Sequence, residues 1–470
     1  MLKKMMLVIT AAVLLAGCPI AQESKKSSAA PPPKVEVKDT DSIREAIARQ
    51  LHKLPDQLAK EDYDSVTKLI LSKAQVSNIE LLKELSNLQE LNLNSTKVSN
   101  IEALKKLSKL QTLGLSGTKV RNIKPLQGLS NLQNLWIGGT QVRDIKPLKG
   151  LSKLHTLGLY GTKVSNIKAL NELTNLKTLH LDKTQVSNIE PLKDLSNLQE
   201  LHLDGTPVSN IKPLKGLSNL QELYLSGTKV SDIEPLKGLS NLRGLDLEDT
   251  QVSDIESLKG LSKLQMLNLN GTKVSNIEPL KGIPKLHTLH LSNTPVSNIE
   301  PLKGLSNLQT LKLGGTPVKN LEPIRGLSKL QKLYLKGTPV SSIEPLKGLS
   351  NLQTLELDET LVSDIEPIKG LSSLGGLNLS RTKVSNIEHL KGLSNLQTLN
   401  LSYTQVSDIE PIKRLSKLQA LWLVGTPVKN LKTIKKLKNL VLLNLPRTQV
   451  SKEQIAELQK ALPNLWIHRW

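Results

Sequence analysis

The chain of 470 residues carries a formal net charge of +21, one cysteine and no phenylalanine. The single cysteine excludes disulfides within the chain and metal sites built from several cysteines. Because there are only four tryptophans and five tyrosines, leucine, isoleucine and valine must supply most of the core. The length is typical of two or three domains, unless the chain is a repeat array, which can be longer.

Residues 1–17, MLKKMMLVITAAVLLAG, have the layout of a secretory signal peptide. Lys3 and Lys4 precede an apolar run that is too short to span a bilayer, and small residues follow it. The letters LAGC, which end at Cys18, resemble the lipobox of bacterial lipoproteins. This resemblance implies cleavage before Cys18 and lipid attachment to that residue, which anchors a protein without a transmembrane helix. The alternative is an ordinary signal peptide in which the cysteine has no role.

Residues 18–40 are rich in Ser, Ala, Lys and Pro, a composition that predicts a flexible tether. By analogy with bacterial lipoproteins, Pro19 after the cysteine disfavours retention at the inner membrane. We therefore expect a lipid-anchored protein of the bacterial cell envelope, at the outer membrane. Whether it faces the periplasm or the cell surface stays open.

From Leu85 to Leu437 the chain repeats every 22 residues without insertion or deletion, and the stretch that starts at Tyr63 is one further repeat. With Leu85 as position 1, apolar residues recur at positions 1, 4, 7, 9, 14, 17 and 20. Positions 7 and 9 alternate with polar residues, which predicts a short strand, and the frequent Pro at position 19 forbids a long helix. No repeat can bury its apolar residues alone, so the repeats must stack, with their strands in one parallel sheet.

The pattern L-x-x-L-x-L-x-x-T-x-V is similar to the leucine-rich repeat, and the ending VSNIEPLKG resembles the bacterial internalins. The resemblance implies an α/β fold, a right-handed horseshoe solenoid with the sheet on its concave face and 3-10 or irregular turns on its convex face. It also implies a helical N-terminal cap at residues 41–62, an array of eighteen repeats at residues 63–450 and a C-terminal cap at residues 451–470.

Two departures from the family pattern limit what the resemblance implies. Position 12 is Thr in nearly every repeat, where the family usually has Asn, so we expect a thinner ladder of polar side chains in the turns. The chain shows neither the cell-wall sorting signal nor the immunoglobulin-like domain that internalins often carry, so an invasion role is not carried over.

Side chains at positions 6, 8, 10, 11 and 13 vary between repeats, which indicates that packing does not dictate them. Five of the nine aromatic residues occupy position 8 or 10, on the predicted concave face: Trp136, Tyr160, Tyr224, Tyr334 and Trp422. Tyr and Trp give large rigid contact area at small entropic cost, so we expect these residues to contact a partner. The alternative is that a polar sheet merely tolerates large side chains there.

Acidic residues crowd the centre of the same predicted face, at Asp182, Glu200, Asp204, Glu222, Asp246 and Glu248. Like charges at strand spacing repel, so packing alone would favour mixed signs. An acidic surface with tyrosines on it suits a protein partner that presents a basic segment.

His180 and His202 occupy position 8 of successive repeats, so their 22-residue spacing follows from the repeat itself. Together with a nearby carboxylate they have the ligand types of a Zn²⁺ site. An exposed sheet, however, supplies no supporting groups that would hydrogen-bond to such ligands, so we expect no metal and no other cofactor. An array without insertions also lacks the pocket and loops of an active site, so we expect no enzyme activity.

Basic residues at position 21 usually follow a Glu three residues earlier, which compensates their charge. An early group lacks such partners and forms a predicted basic patch: Arg121, Lys124, Arg143, Lys146, Lys149 and Lys168. This patch suits anionic lipid or envelope polysaccharide, whereas nucleic acid is not expected for an exported protein. The alternative is an ordinary solvated surface.

The sequence therefore predicts a membrane-anchored envelope protein that binds a protein partner through the concave face of a leucine-rich-repeat array. The alternative is a structural or adhesive module that binds anionic glycan or lipid through its basic residues.

Overall fold

The computed structural model describes residues 39–469, with side chains from Ser42 onwards. The predicted signal peptide, Cys18 and most of the tether lie outside these residues, as does Trp470. Within residues 39–469, no helix has both the length and the apolar character needed to cross a membrane.

The chain divides into two compact units, the N-terminal unit, residues 39–264, and the C-terminal unit, residues 265–469. Three α-helices are present in the described residues: α1 Asp39–Leu51, α2 Lys60–Ser65 and α3 Lys452–Ala461. Helix α1 begins before residue 41, so the last two residues that we assigned to the tether are helical. Ser451 caps α3, since its side chain accepts a hydrogen bond from the backbone N–H of Gln454.

Each repeat contributes one three-residue strand at positions 6 to 8. The strands of the N-terminal unit are β1 Lys68–Ile70, β2 Glu90–Asn92, β3 Thr112–Gly114, β4 Asn134–Trp136, β5 Thr156–Gly158, β6 Thr178–His180, β7 Glu200–His202, β8 Glu222–Tyr224 and β9 Gly244–Asp246. Those of the C-terminal unit are β10 Met266–Asn268, β11 Thr288–His290, β12 Thr310–Lys312, β13 Lys332–Tyr334, β14 Thr354–Glu356, β15 Gly376–Asn378, β16 Thr398–Asn400, β17 Ala420–Trp422, β18 Leu442–Asn444 and β19 Trp466–His468.

Short 3-10 helices return the chain from one strand to the next, as the frequent Pro at position 19 predicts. In the N-terminal unit they are Glu80–Glu84, Glu102–Lys106, Lys124–Leu126, Lys146–Leu148, Lys168–Glu172, Glu190–Leu192, Lys212–Leu214, Glu234–Leu236 and Glu256–Leu258, and a further 3-10 helix, Pro55–Gln57, precedes β1. In the C-terminal unit they are Glu278–Gly282, Glu300–Leu302, Glu322–Ile324, Glu344–Leu346, Glu366–Ile368, Glu388–Gly392, Glu410–Arg414 and Lys432–Lys436.

Within each unit, neighbouring strands pair in parallel and in a register that equals the repeat. Leu69 lies opposite Leu91 in the N-terminal unit, and Leu267 opposite Leu289 in the C-terminal unit. The predicted core positions are buried, and in the repeat that starts at Leu85 every one is at most 1% exposed. Each buried aliphatic side chain contributes about 1.5–3 kcal/mol relative to an exposed one. The predicted leucine-rich-repeat solenoid is confirmed.

The threonines at position 12 stabilise the turn in a different way from the expected ladder. The buried hydroxyl of Thr96 donates to the backbone carbonyl of Leu93, three residues earlier, at 2.7 Å. The same bond recurs in later repeats, as between Thr250 and Leu247. Because donor and acceptor belong to one repeat, these bonds close each turn by itself and do not link successive repeats.

Position 11 is constrained by the backbone, which corrects our inference that packing leaves it free. In all eighteen repeats this residue has a left-handed φ, between 54° and 70°. Half of the repeats carry Gly there, which adopts this conformation without steric cost. The others carry larger residues such as Lys183, Glu359 and Tyr403, and a side chain in this conformation costs roughly 1–2 kcal/mol.

We expect substitutions at position 11 to change stability in opposite directions. Lys183→Gly relieves left-handed strain and should raise the free energy of unfolding by about 1 kcal/mol, whereas Gly227→Ala introduces it and should lower that free energy by a similar amount. Urea unfolding of the two variants checks both signs. Gly282→Ala is the control, because Gly282 has no left-handed φ and has open space at its Cβ; a loss of stability in the control as large as that of Gly227→Ala would contradict the strain account.

Candidate binding surface on the strands

Side chains at positions 6, 8 and 10 form one surface of each unit, which we call the sheet face. Alternation along the strand places them there, because successive side chains point to opposite sides of a sheet. In β6, for example, Leu179 is buried in the core while Thr178 and His180 are half-buried on the sheet face. All eleven of the predicted partner contacts between residues 136 and 248 lie on the sheet face of the N-terminal unit.

A row of stacked rings runs across strands β4 to β8. The ring of Tyr224 stacks on that of His202 with centroids 4.2 Å apart and planes 14° apart. His202 stacks in turn on His180 at 4.2 Å and 25°, and Trp136 lies 5.1 Å from His180 at a tilt of 45°. We call Trp136, His180, His202 and Tyr224 the ring row. Since the interior rings cover each other's faces, they present their edges to solvent.

Two glycines make room for the large aromatic rings. The indole of Trp136 lies over Gly158, the position-8 residue of β5, where an added Cβ would be 2.2 Å from the ring. The ring of Tyr160 covers Gly138 in the same way, at 2.3 Å. These distances are far below van der Waals contact, so only glycine permits the observed arrangement. Tyr160 stays 39% exposed.

Carboxylates border the ring row and contact the histidines. Nε2 of His202 lies 2.8 Å from Oε1 of Glu200, within hydrogen-bond distance. Nδ1 of the same ring is 3.6 Å from Oδ1 of Asp182, and Nδ1 of His180 is 3.9 Å from the other oxygen of Asp182. Asp204 is also fixed, because its Oδ1 accepts the backbone N–H of Ser226 at 2.8 Å. The expectation that the sheet supplies no supporting groups for these histidines is therefore wrong.

The pKa values on the sheet face reflect burial and the crowding of like charges. Burial, followed by a hydrogen bond with Asp182, raises the pKa of Asp204 to about 6. Burial and the neighbouring Glu200 also raise the pKa of Glu222. The pKa of Tyr224 rises to about 12, first through burial and then through Glu222. The surface therefore holds its negative charge at an energetic cost that a cationic ligand would offset.

Two sets of three side chains have atoms of metal-ligand type close together. They are His180, Glu200 and His202, and Asp182, His202 and Asp204, and within each set the ligand atoms lie within 4.8 Å of one another. In the first set the imidazole rings are stacked and Nε2 of His202 already contacts Glu200. In the second set, Nδ1 of His202 is 3.6 Å from Oδ1 of Asp182.

The two predicted contacts in the C-terminal unit differ from those of the ring row. Tyr334 is half-buried on β13, and the ammonium of Lys312 lies 5.6 Å from the centre of its ring. Trp422 is only 5% exposed, because it packs against Ala420 and Leu442 on the sheet face. The side chain that we expected to contact a partner is thus covered mainly by its own chain.

A groove of about 1150 Å³, which we did not predict, opens on the sheet face of the C-terminal unit. Gly375 and Gly376 contribute to its lining, and the amide and hydroxyl side chains of Gln353, Thr354, Gln397 and Thr398 also line it. The sequence signal was available, because Gly376 stands at position 6, where most repeats carry a larger residue.

Two buried carboxyl groups lie beside this groove. Glu356 is 9% exposed and accepts a hydrogen bond from the side-chain amide of Asn378. Burial raises its pKa to about 7. Asp358 is 5% exposed, its Oδ2 lies 3.5 Å from Nζ of Lys336, and its Oδ1 has no hydrogen-bond partner among the described residues.

The predicted basic patch lies on the 3-10 side of the N-terminal unit, and one of its members is paired. Nζ of Lys149 is 3.1 Å from Oε1 of Glu172 in the next repeat, so the prediction that Lys149 lacks a partner is wrong. The acid comes from position 22 of the following repeat rather than from position 18 of the same one. No ion pair within residues 39–469 involves the other five members, Arg121, Lys124, Arg143, Lys146 and Lys168.

Family models for leucine-rich repeats match much of the array. The model described as a leucine-rich repeat region matches residues 65–281. The model described as leucine-rich repeats in two copies matches residues 284–326 and 328–372. No curated protein sequence matches the chain significantly.

Solved structures of bacterial proteins are similar to this chain. A leucine-rich-repeat protein of Leptospira interrogans is 23% identical, with 87% of this chain and 97% of that chain covered and a TM-score of 0.67. The functional domain of InlJ from Listeria monocytogenes is 15% identical, with 85% and 79% covered and a TM-score of 0.53. An internalin of Listeria monocytogenes, InlF, is 24% identical, with 86% and 94% covered and a TM-score of 0.45. The first two similarities show the fold.

We expect Glu356→Gln to remove a pH dependence from the stability of the protein. The folded protein holds a proton on Glu356 up to about pH 7, whereas a glutamate in the unfolded chain releases it near 4.5. Stability therefore falls as the pH rises through this window, by at most about 3 kcal/mol, and no penalty applies below it. Urea unfolding at pH 5 and pH 8 should show a much larger gain for the variant at pH 8 than at pH 5.

Glu344→Gln is the matched control for this experiment, because Glu344 is exposed on the 3-10 side. The control should keep the wild-type difference between pH 5 and pH 8. A Glu356→Gln variant that loses as much stability between these pH values as the wild type would contradict the assignment.

Proposed function

Because this chain is a leucine-rich-repeat protein with a solenoid fold, we propose that it captures a protein partner on the sheet face of its N-terminal unit. Leucine-rich-repeat proteins are generally binding scaffolds without catalytic activity. The observation that carries the proposal is the ring row with carboxylates on both of its sides. The partner presents a basic segment to this surface.

Both the rings and the carboxylates contact the basic segment. Lys and Arg side chains have apolar stems that can lie along ring edges while their charged ends reach the carboxylates. Asp182 and Asp204 lie on one side of the row, at position 10, and Glu200 and Glu222 lie on the other side, at position 6. Binding a partner removes water from these carboxylates, which costs free energy. Part of this cost is already incurred, because the carboxylates are half-buried in the free protein.

The stacking also favours binding by limiting the entropy that the surface loses. His202 is held between two rings and by Glu200, and Asp204 is held by the backbone of Ser226. Side chains that are ordered before a partner arrives lose less rotamer freedom on binding, and each rotamer-rich side chain otherwise costs about 0.5–1.5 kcal/mol.

A second candidate function is the binding of an anionic glycan or lipid head group at the basic patch. Its support is a recess of about 340 Å³ on the 3-10 side, lined by Arg121, Lys124 and Lys146 together with Asp144. The five basic residues without ion pairs fall in three consecutive repeats. Asp144 lowers the net charge of the recess, and its Oδ1 accepts the backbone N–H of Lys146.

Neutralising carboxylates of the sheet face should strongly weaken partner capture. In the variant Asp204→Asn, Glu222→Gln, Asp246→Asn, the shapes and the hydrogen bond to Ser226 are kept and three charges are removed. We expect capture from a bacterial envelope extract to fall at least about tenfold, since each charge-assisted contact contributes roughly 1.5–3 kcal/mol. The captured protein is identified by mass spectrometry, and its affinity is then measured by calorimetry for the wild type and the variant.

The matched control removes the same charge from the 3-10 side, with Glu344→Gln, Glu366→Gln and Glu388→Gln. Equal capture by the sheet-face variant and this control would reject the proposed surface. If the glycan or lipid alternative holds instead, Arg143→Glu with Lys146→Glu abolishes binding and wild-type binding weakens steeply with salt.

We further propose that Cys18 carries the lipid that anchors the protein in the cell envelope, at the outer membrane. The proposal depends on the residues before and at Cys18, which resemble a lipobox. Cys18→Ser should move the protein from the membrane fraction to the soluble fraction and prevent its labelling by a radioactive fatty acid. Labelling that persists in the variant would reject lipid attachment at this residue.

A further inference from the structure

We propose that Asp182, His202 and Asp204 form a site for a divalent transition-metal ion such as Zn²⁺. His202 and Asp204 stand at positions 8 and 10 of one repeat, so both project from the same side of the sheet, and Asp182 stands at position 10 of the neighbouring repeat. One imidazole nitrogen and two carboxylates are ligands that Zn²⁺ accepts in proteins. This inference does not depend on partner capture at the sheet face.

The spacing of the ligand atoms suits one ion. Nδ1 of His202 and Oδ1 of Asp182 are 3.6 Å apart, and all three ligand atoms lie within 4.8 Å of one another. Two ligands of a tetrahedral Zn²⁺ with bonds of about 2.0–2.1 Å are roughly 3.4 Å apart. Small side-chain rotations would therefore bring the three atoms into coordination without a change in the backbone.

Glu200 sets the tautomer of His202 that the site requires. A carboxylate only accepts hydrogen bonds, so the 2.8 Å contact with Oε1 of Glu200 places the ring proton of neutral His202 on Nε2. The lone pair is then on Nδ1, the nitrogen that faces Asp182. A carboxylate that orients a ligand histidine through its other nitrogen is a usual supporting group of metal sites. Glu200 is a positioning residue here.

Asp204 is oriented in a comparable way, and the two aspartates repel each other without a cation. The backbone N–H of Ser226 donates to Oδ1 of Asp204, which leaves Oδ2 for an ion. Ligand atoms of Asp182 and Asp204 lie within 4.8 Å of each other, and the side chains of Asp182 and His202 are only 19% and 18% exposed. A divalent ion would offset the repulsion between these carboxylates.

The alternative set, His180 with Glu200 and His202, fits an ion less well. Imidazole lone pairs lie in the ring plane, whereas the rings of His180 and His202 stack at 4.2 Å with planes 25° apart. An ion between them would sit above the rings and not in line with their lone pairs. The side chains of Asp182 and His202 keep some exposure to solvent, so water or a group of a partner could complete the coordination.

Calorimetric titration of the full chain with Zn²⁺ tests the site. We expect one site per chain, and we expect Asp204→Asn and His202→Ala each to weaken binding by more than about 100-fold. Glu200→Gln should weaken it by about 10- to 100-fold, as is usual for a supporting group. His290→Ala is the matched control, because His290 also stands at position 8 but lies outside both sets of potential ligands; it should bind like the wild type.

Visible absorption of the Co²⁺-loaded protein provides a readout that a purely structural role would not change. The wild type should show d–d bands, Glu200→Gln should shift them and His202→Ala should abolish them, while circular dichroism stays the same for all variants. Retention of Zn²⁺ by Asp204→Asn would overturn the proposal. It would equally be overturned if the wild type bound no Zn²⁺, or if His180→Ala abolished binding while Asp204→Asn did not, since the ion would then lie at the other set.

Discussion

The structure depends on one constraint, which is that no single repeat can bury its own aliphatic side chains. Leu91 and Val98 lose contact with water only because the repeats before and after them supply the other walls of the core. The same stacking makes the backbone of each strand pair in a register of 22 residues. Side chains that face the core are therefore nearly fixed, and differences between repeats collect on the sheet face and in the turns. Function must be sought where the repeats differ.

Periodicity made the core, the strands and the register predictable, because each of these follows from local alternation and from the repeat length. The rings at position 8 were placed on the sheet face for the same reason. The left-handed backbone at position 11 was missed, since nine repeats hide it behind residues such as Lys183 and Tyr403 that rarely adopt this conformation. The recurrence of glycine at position 11 is the feature of the sequence that indicates this conformation.

Contacts between side chains of neighbouring repeats were harder to predict than the placement of each residue within its own repeat. The pairing of Lys149 with Glu172 joins positions 21 and 22 of successive repeats, and the covering of Trp422 depends on which residues happen to stand beside it. The support of His202 by Glu200 likewise requires rotamers that a repeat pattern does not specify. Spacing alone predicts which side chains share a surface. The protonation and charge of a site depend on which neighbouring side chains contact each of its residues.

The stacked arrangement of the ring row restricts the shape of what can bind there. Flat ligands such as the apolar faces of sugar rings or the bases of nucleotides associate with proteins by lying parallel to an uncovered aromatic plane. His202 has no such plane, because the rings of its two neighbours occupy both sides of it. The middle of the row thus exposes only ring edges, which suits elongated chains and excludes planar molecules from stacking on it.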